Sequence, residues 1–174
     1  FLDAVATAGD GSKVFSTSQA ALNALSDAMF YVEKEVKDMK VGIPVGRTGC
    51  DDEICPEDVE APFSGRSKEH ILANLKGFEL VFLGDAPGTD AEGFDDLLVS
   101  AGAEALATKI KGDITTSREA LENVDGTLEE ALVSDKQSVD DVYDAMNAFV
   151  RDLKTEFVSV LDLELPKRVE ADAD

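Results

Sequence analysis

Apolar residues in this chain return every three or four positions over long stretches, and that period leaves little choice of fold. From Ser16 to Gly42, Leu22, Leu25, Met29, Val32, Val36 and Met39 fall on one stripe, the pattern of an amphipathic helix buried along one side. Ser16, Thr17 or Ser18 can cap its start, and Gly42 with Pro44 ends it. A second helix starts at Ser64 or Ser67, buries Ile71, Leu72, Leu75, Phe78, Val81 and Phe82, and stops at Gly84. A short helix is expected over Phe94 to Val99. The third long helix runs from about Ala103 to Val124 on Leu106, Ala107, Ile110, Ile114 and Leu121, weakened in the middle by Thr115, Thr116 and Ser117. A short helical piece follows the turn at 125–127. Ser138, with Asp141 as a capping acid, opens the last long helix. Its stripe is Val139, Val142, Met146, Phe149, Val150, Leu153, Phe157, Val160 and Leu161, and Pro166 ends it.

Four long amphipathic helices joined by loops predict an all-α fold, an antiparallel up-and-down four-helix bundle over residues 1–165, with 166–174 as a frayed acidic tail. No alternating strand pattern competes, and "KVGIPVG" at 40–46 reads as loop. The length of 174 residues suits one domain with a real core. No apolar run is long enough to cross a bilayer. The chain opens at Phe1, without Met or a basic leader, and is expected to be mature, trimmed or part of something longer.

Charge narrows the partners. Sixteen Lys and Arg face 37 Asp and Glu, for a net charge of −21. Nucleic acid and anionic membrane surfaces need a basic footprint that is missing here. Such acidity serves solubility, or it binds cations. Asp51, Asp52 and Glu53 are consecutive hard-cation donors, and Asp85, Asp90, Glu92, Asp95 and Asp96 form a second acidic group; neither has EF-hand spacing. Cys50 and Cys55 flank the first group. With a single histidine they make no four-ligand zinc site. A local disulfide in an oxidising compartment is the expectation, and two reduced cytosolic thiols the alternative.

The sharpest motif is "EAPFSGRSKEH" at 60–70. A glycine-flanked loop feeding a helix start offers free backbone N–H groups, and an arginine there adds a planar fork for an anion. Ser64, Arg66 and Ser67 are therefore the candidate ligand-binding residues. The plainer reading is that the serines cap the helix and Arg66 makes a structural ion pair. His70, the one histidine, could join a serine and a carboxylate in a triad, but no local spacing selects the partners. P-loop, G-x-G-x-x-G and H-E-x-x-H signatures are absent.

The stretch from Glu60 to Gly84 resembles the imelysin family of bacterial envelope proteins. The likeness lies in Glu60, Pro62, Phe63, Ser64, Arg66 and Ser67, then Asn74, Leu75, Gly77 and Phe82. "FSTSQAALNALSDAM", "VGIPVG" and "GFDDLLVSAGAEALATKI" resemble further family segments in the same order, so the likeness covers roughly Phe1 to Leu165. It implies a helical protein of two bundle-like halves, exported or lipid-anchored at the periplasm or cell surface, tied to iron acquisition and in some members to proteolysis. The family's G-x-H-x-x-E belongs to the N-terminal half. His70 does not reproduce it, because Lys68 stands at the Gly position and Ala73 at the Glu position. The resemblance therefore implies a C-terminal half that is non-catalytic alone. Its partners would be an N-terminal half and a metal ion or small anionic ligand; the cofactor would be iron by the resemblance, or calcium held by the acidic loops. The alternatives are part of a metallopeptidase completed by that N-terminal half, and an acidic calcium-binding adhesion or scaffold domain.

Overall fold

The computed structural model describes residues 1–84 and 92–170. Among them every regular element is helical: α1 (Leu2–Ala6), α2 (Ser18–Met29), α3 (Ser67–Phe82), α4 (Phe94–Ser100), α5 (Glu104–Glu122), α6 (Leu128–Ser134), α7 (Lys136–Asp152) and α8 (Val158–Val160), with a 3₁₀ turn at Pro56–Asp58. Two further segments, Val32–Gly42 and Leu153–Phe157, are π-helical. The first, called π1 below, continues the line of α2; the second, π2, continues α7. Asp85 and Asp90 of the second acidic group lie outside the described residues.

Four long helical segments close a ring of contacts: π1 packs on α3, α3 on α5, α5 on α7, and α7 back on π1. The buried stripes read from the sequence meet at its centre. Phe78 of α3 meets Phe149 of α7 edge-on with ring centroids 4.7 Å apart, and Phe157 of π2 contacts both Phe82 and Phe94. Such pairs add to the burial energy of the rings themselves. Short α4 and α6 cover α5 and α7 respectively.

Side-chain caps set the starts of α2 and α6. Thr17 accepts the Ala20 N–H and starts α2. Thr127 and Glu130 form a reciprocal capping box that starts α6. At α7 the expected Ser138–Asp141 cap does not form. The helix begins two residues earlier, Ser138 Oγ donates to the Asp135 carbonyl, and Asp141 accepts from Gln137. The hydroxyl run at 115–117 does not interrupt α5. Thr115 and Thr116 bond back to the carbonyls of Lys111 and Gly112, and Ser117 is fully buried.

The tail differs from its expected fraying up to residue 170. Val169 is buried, and Arg168 pairs with Asp27 of α2. Gln19 of α2 donates to the Leu161 and Asp162 carbonyls, and the Glu164 N–H donates to Asn23. The last stretch thus folds back along α2 where the sequence reading set a boundary at 165.

Candidate functional site

One register shift shapes the face that carries the motif residues. A regular α-helix through Val32–Gly42 would bury Met39 with Val32 and Val36. The π1 ladder reaches one residue further, with the Ile43 N–H donating to the Asp38 carbonyl at 2.7 Å, so each turn takes roughly four to five residues. The buried set becomes Val32, Glu33, Val36, Lys37, Asp38, Val41 and Gly42, and Met39 is left 51% exposed.

Burying those charges requires partners. Glu33 contacts Lys154 of π2 at 2.9 Å, Lys37 contacts Asp38 at 2.7 Å, and Lys34 lies 3.4 Å from Asp38. The Lys37 ammonium also stands 5.1 Å from the Tyr143 ring centre, and Arg47 packs on the same ring. Arg47 further bonds Asp140 and Asp144, tying the loop after π1 to α7. Sequence reasoning missed this network because it read the stretch with a 3.6-residue period. The recoverable signal was the spacing of Val32, Val36 and Val41, which fits the wider turn, with Glu33 and Lys37 beside the first two.

Along π1 a groove of two adjoining pockets runs first beside α3 and then beside the segment at 58–60. Its apolar part, about 210 Å³, is lined by Met29, Val36, Gly77, Phe78 and Val81, and its polar part, about 260 Å³, by Glu35, Met39, Lys40, Asp58 and Glu60. Tyr31 borders both. Lys40 bridges them, donating to Asn74 Oδ1 at 2.7 Å and contacting Glu60 Oε1 at 2.9 Å. The other Glu60 oxygen lies 3.3 Å from His70 Nδ1. Glu60, Asn74 and Gly77, read from the sequence as motif residues, therefore converge on one groove.

The candidate binding residues divide on the loop that follows Glu60. Gly65, at φ +62°, makes the left-handed turn into α3. Phe63 and Arg66 are exposed, and Arg66 has only a loose contact with Glu69 at 3.8 Å. Ser64 is exposed too and donates to the Ala61 carbonyl. Ser67 is buried instead: its hydroxyl accepts the Ala61 N–H and donates to Glu129 Oε1 at 3.0 Å, pinning the loop to α6. Neither serine caps α3; Arg66 holds the cap position without a side-chain bond. With Ser64 on Ala61 and Ser67 on Glu129, neither of the loop's hydroxyls is aimed at His70.

Cys50 and Cys55 form a disulfide. Before their loop Gly46, at φ +80°, lets the Glu53 carbonyl inside it approach to only 2.2 Å from where a Cβ would sit. Asp51, Asp52 and Glu53 are all exposed. Among the described residues no three His, Cys, Asp or Glu side chains are gathered to hold a metal ion. In the second acidic group Asp95 pairs with Lys111 and Asp96 accepts the Gly93 N–H, while Glu92 is exposed. Among the described residues no helix is long and apolar enough to cross a membrane.

Comparison with curated proteins gives no match, and comparison with solved structures gives none either. The imelysin family model matches residues 2–155. That match spans the helical ring, the disulfide loop and the groove with its motif residues, and by it the chain belongs to the imelysin family.

Proposed function

We propose that this chain is the C-terminal bundle half of an imelysin-like cell-envelope protein that takes part in iron or other metal uptake. It supplies one wall of a ligand cleft and is non-catalytic alone. The observation that carries the reading is that Asn74 and Gly77 line one open pocket and Glu60 the adjoining one, joined through Lys40, with Phe63, Ser64 and Arg66 exposed on the loop that follows Glu60. Arg66, held only loosely by Glu69, can turn its fork to an anionic ligand, and an exposed aromatic beside it suits a contact surface. The disulfide supports a periplasmic or cell-surface location, since such bonds persist in oxidising compartments. The absence of G-x-H-x-x-E from these residues supports a non-catalytic role.

The test is calorimetric titration of the chain with ferric and ferrous iron and with Ca²⁺. It is done alone and after co-expression with an N-terminal half bearing the His-x-x-Glu motif. The expected result is a stable complex of the halves that binds iron more tightly than this chain alone, weakened by Arg66→Ala. Casein hydrolysis by the complex, abolished by chelator, would shift the reading to a metallopeptidase. Saturable Ca²⁺ binding by the chain alone, lost on changing Asp51, Asp52 and Glu53 to Asn and Gln, would favour the adhesion or scaffold reading. Casein hydrolysis by this chain alone contradicts the proposal.

A further inference from the structure

The two parts of the groove differ in chemistry, and together they describe an occupant. Met29, Val36, Gly77, Phe78 and Val81 line an apolar part, and a Cβ placed on Gly77 would meet no heavy atom within 4 Å. The adjoining part is acidic. Glu35, half-buried along this part, has one carboxylate oxygen, Oε2, without a hydrogen-bond partner, an arrangement that is costly unless a donor arrives. The nearby cation cannot supply it at no loss, because Lys40 is already engaged by Glu60 and Asn74. Asp58, exposed at the rim, adds a second negative charge. Tyr31 and Met39, 43% and 51% exposed, stand where the parts join and at the acidic end. Both are side-chain types that enrich protein interfaces.

We infer that this groove docks a polypeptide segment pairing an apolar side chain with a lysine or arginine, the apolar group filling the space over Gly77 and the cation completing Glu35. A groove beside a helix, with apolar and charged contacts in succession, is the setting in which a helix face is read. The net charge of −21 draws a basic segment toward it. The inference rests on the reading that this face is a binding surface, but not on iron, on an envelope location or on the identity of the partner.

The experiment is NMR titration of the whole chain with short blocked helical peptides of matched length: one with leucine and lysine, one with leucine and glutamate, one with serine and lysine. The leucine–lysine peptide is expected to bind, shifting Tyr31, Met39 and Gly77, and to outcompete the other two. Glu35→Gln is expected to weaken it about tenfold, the worth of one charge-assisted bond. Gly77→Leu is expected to abolish binding while the chain still melts cooperatively, because the added side chain grows into open space. Binding unchanged by both substitutions overturns the inference. So does equal binding of the glutamate peptide, binding of free n-butylamine as tight as that of the peptide, or no binding of any peptide. If no peptide binds and the chain still assembles with an N-terminal half to take up iron, docking falls and the proposed function stands. Peptide binding with no iron uptake gives the reverse.

Discussion

Glu33 and Lys37 illustrate how single residues decide this fold. Both are fully buried charges on π1, made tolerable by partners that include Lys154, Asp38 and Tyr143. Removing one member of a buried ion pair costs far more than the pair contributes. Lys154→Met is therefore expected to destabilise the chain by about 3 kcal/mol, measured by urea unfolding. Lys109 offers a second test, through pH. Its bond to Asp152 raises its pKa above the usual ammonium value, with Asp113 reinforcing and some desolvation opposing. Asp113 is itself pushed up, first by burial, against the pull of Lys109 and with the push of Asp152. The signs are opposite. The Lys109 contribution is present below the ordinary lysine pKa and lost as pH rises through the raised one. Asp113 makes the fold gain stability as pH falls from its raised pKa toward the ordinary carboxylate value, since the folded state takes up that proton first. Thermal melts across pH should show Lys109→Met flattening the alkaline loss. Asp113→Asn should remove the acid-side gain and stabilise the neutral chain by about 0.5 kcal/mol. An unaltered alkaline limb in Lys109→Met would show that the lysine bond contributes nothing.

Among the elements, α3, α5 and α7 were legible because each keeps an apolar stripe of α period against two neighbours. Of the face read for α3, Ile71, Leu75, Phe78 and Phe82 are buried, Leu72 is half-buried, and Val81 is 39% exposed at the groove. π1 was legible only in part. Val32 and Val36 satisfy both periods, but Met39 satisfies the α period alone, and tertiary packing chose the wider turn. The start of α7 was misplaced for a similar reason: Ser138 resembles a cap, yet its hydroxyl finds the Asp135 carbonyl instead of starting the helix. A substitution pair separates the two registers of π1. Met39→Gln is expected to change stability by no more than about 0.5 kcal/mol, as for an exposed side chain. Val41→Ala, at a position with no exposure, is expected to cost about 2 kcal/mol. Equal costs would mean that the segment is an ordinary α-helix with Met39 inside.

For the molecule as a whole, composition and period were enough to foresee an all-helical protein, because each long stripe can be buried only against another. The site was less legible. Glu60, Asn74 and Gly77 were readable as motif residues, but their meeting along one groove depends on how π1 and α3 pack, which no local spacing encodes. Ser67 was read with Ser64 and Arg66 as a candidate binding residue, yet the fold spends its hydroxyl on Glu129 and Ala61. The Cys50–Cys55 bond acts at this scale too, closing the loop that Arg47 fastens to α7. Its reduction is expected to lower stability by about 2 kcal/mol without loss of helical circular dichroism. The claim on which the groove, its proposed occupant and the buried charge network all depend is the register of π1. The three methionines report it directly, since Met29 and Met146 are buried and Met39 is not. Peptide mass mapping after brief peroxide treatment of the native chain should find sulfoxide at Met39 well before the other two. Protection of Met39 equal to that of Met29 and Met146 would contradict the register, and with it the groove.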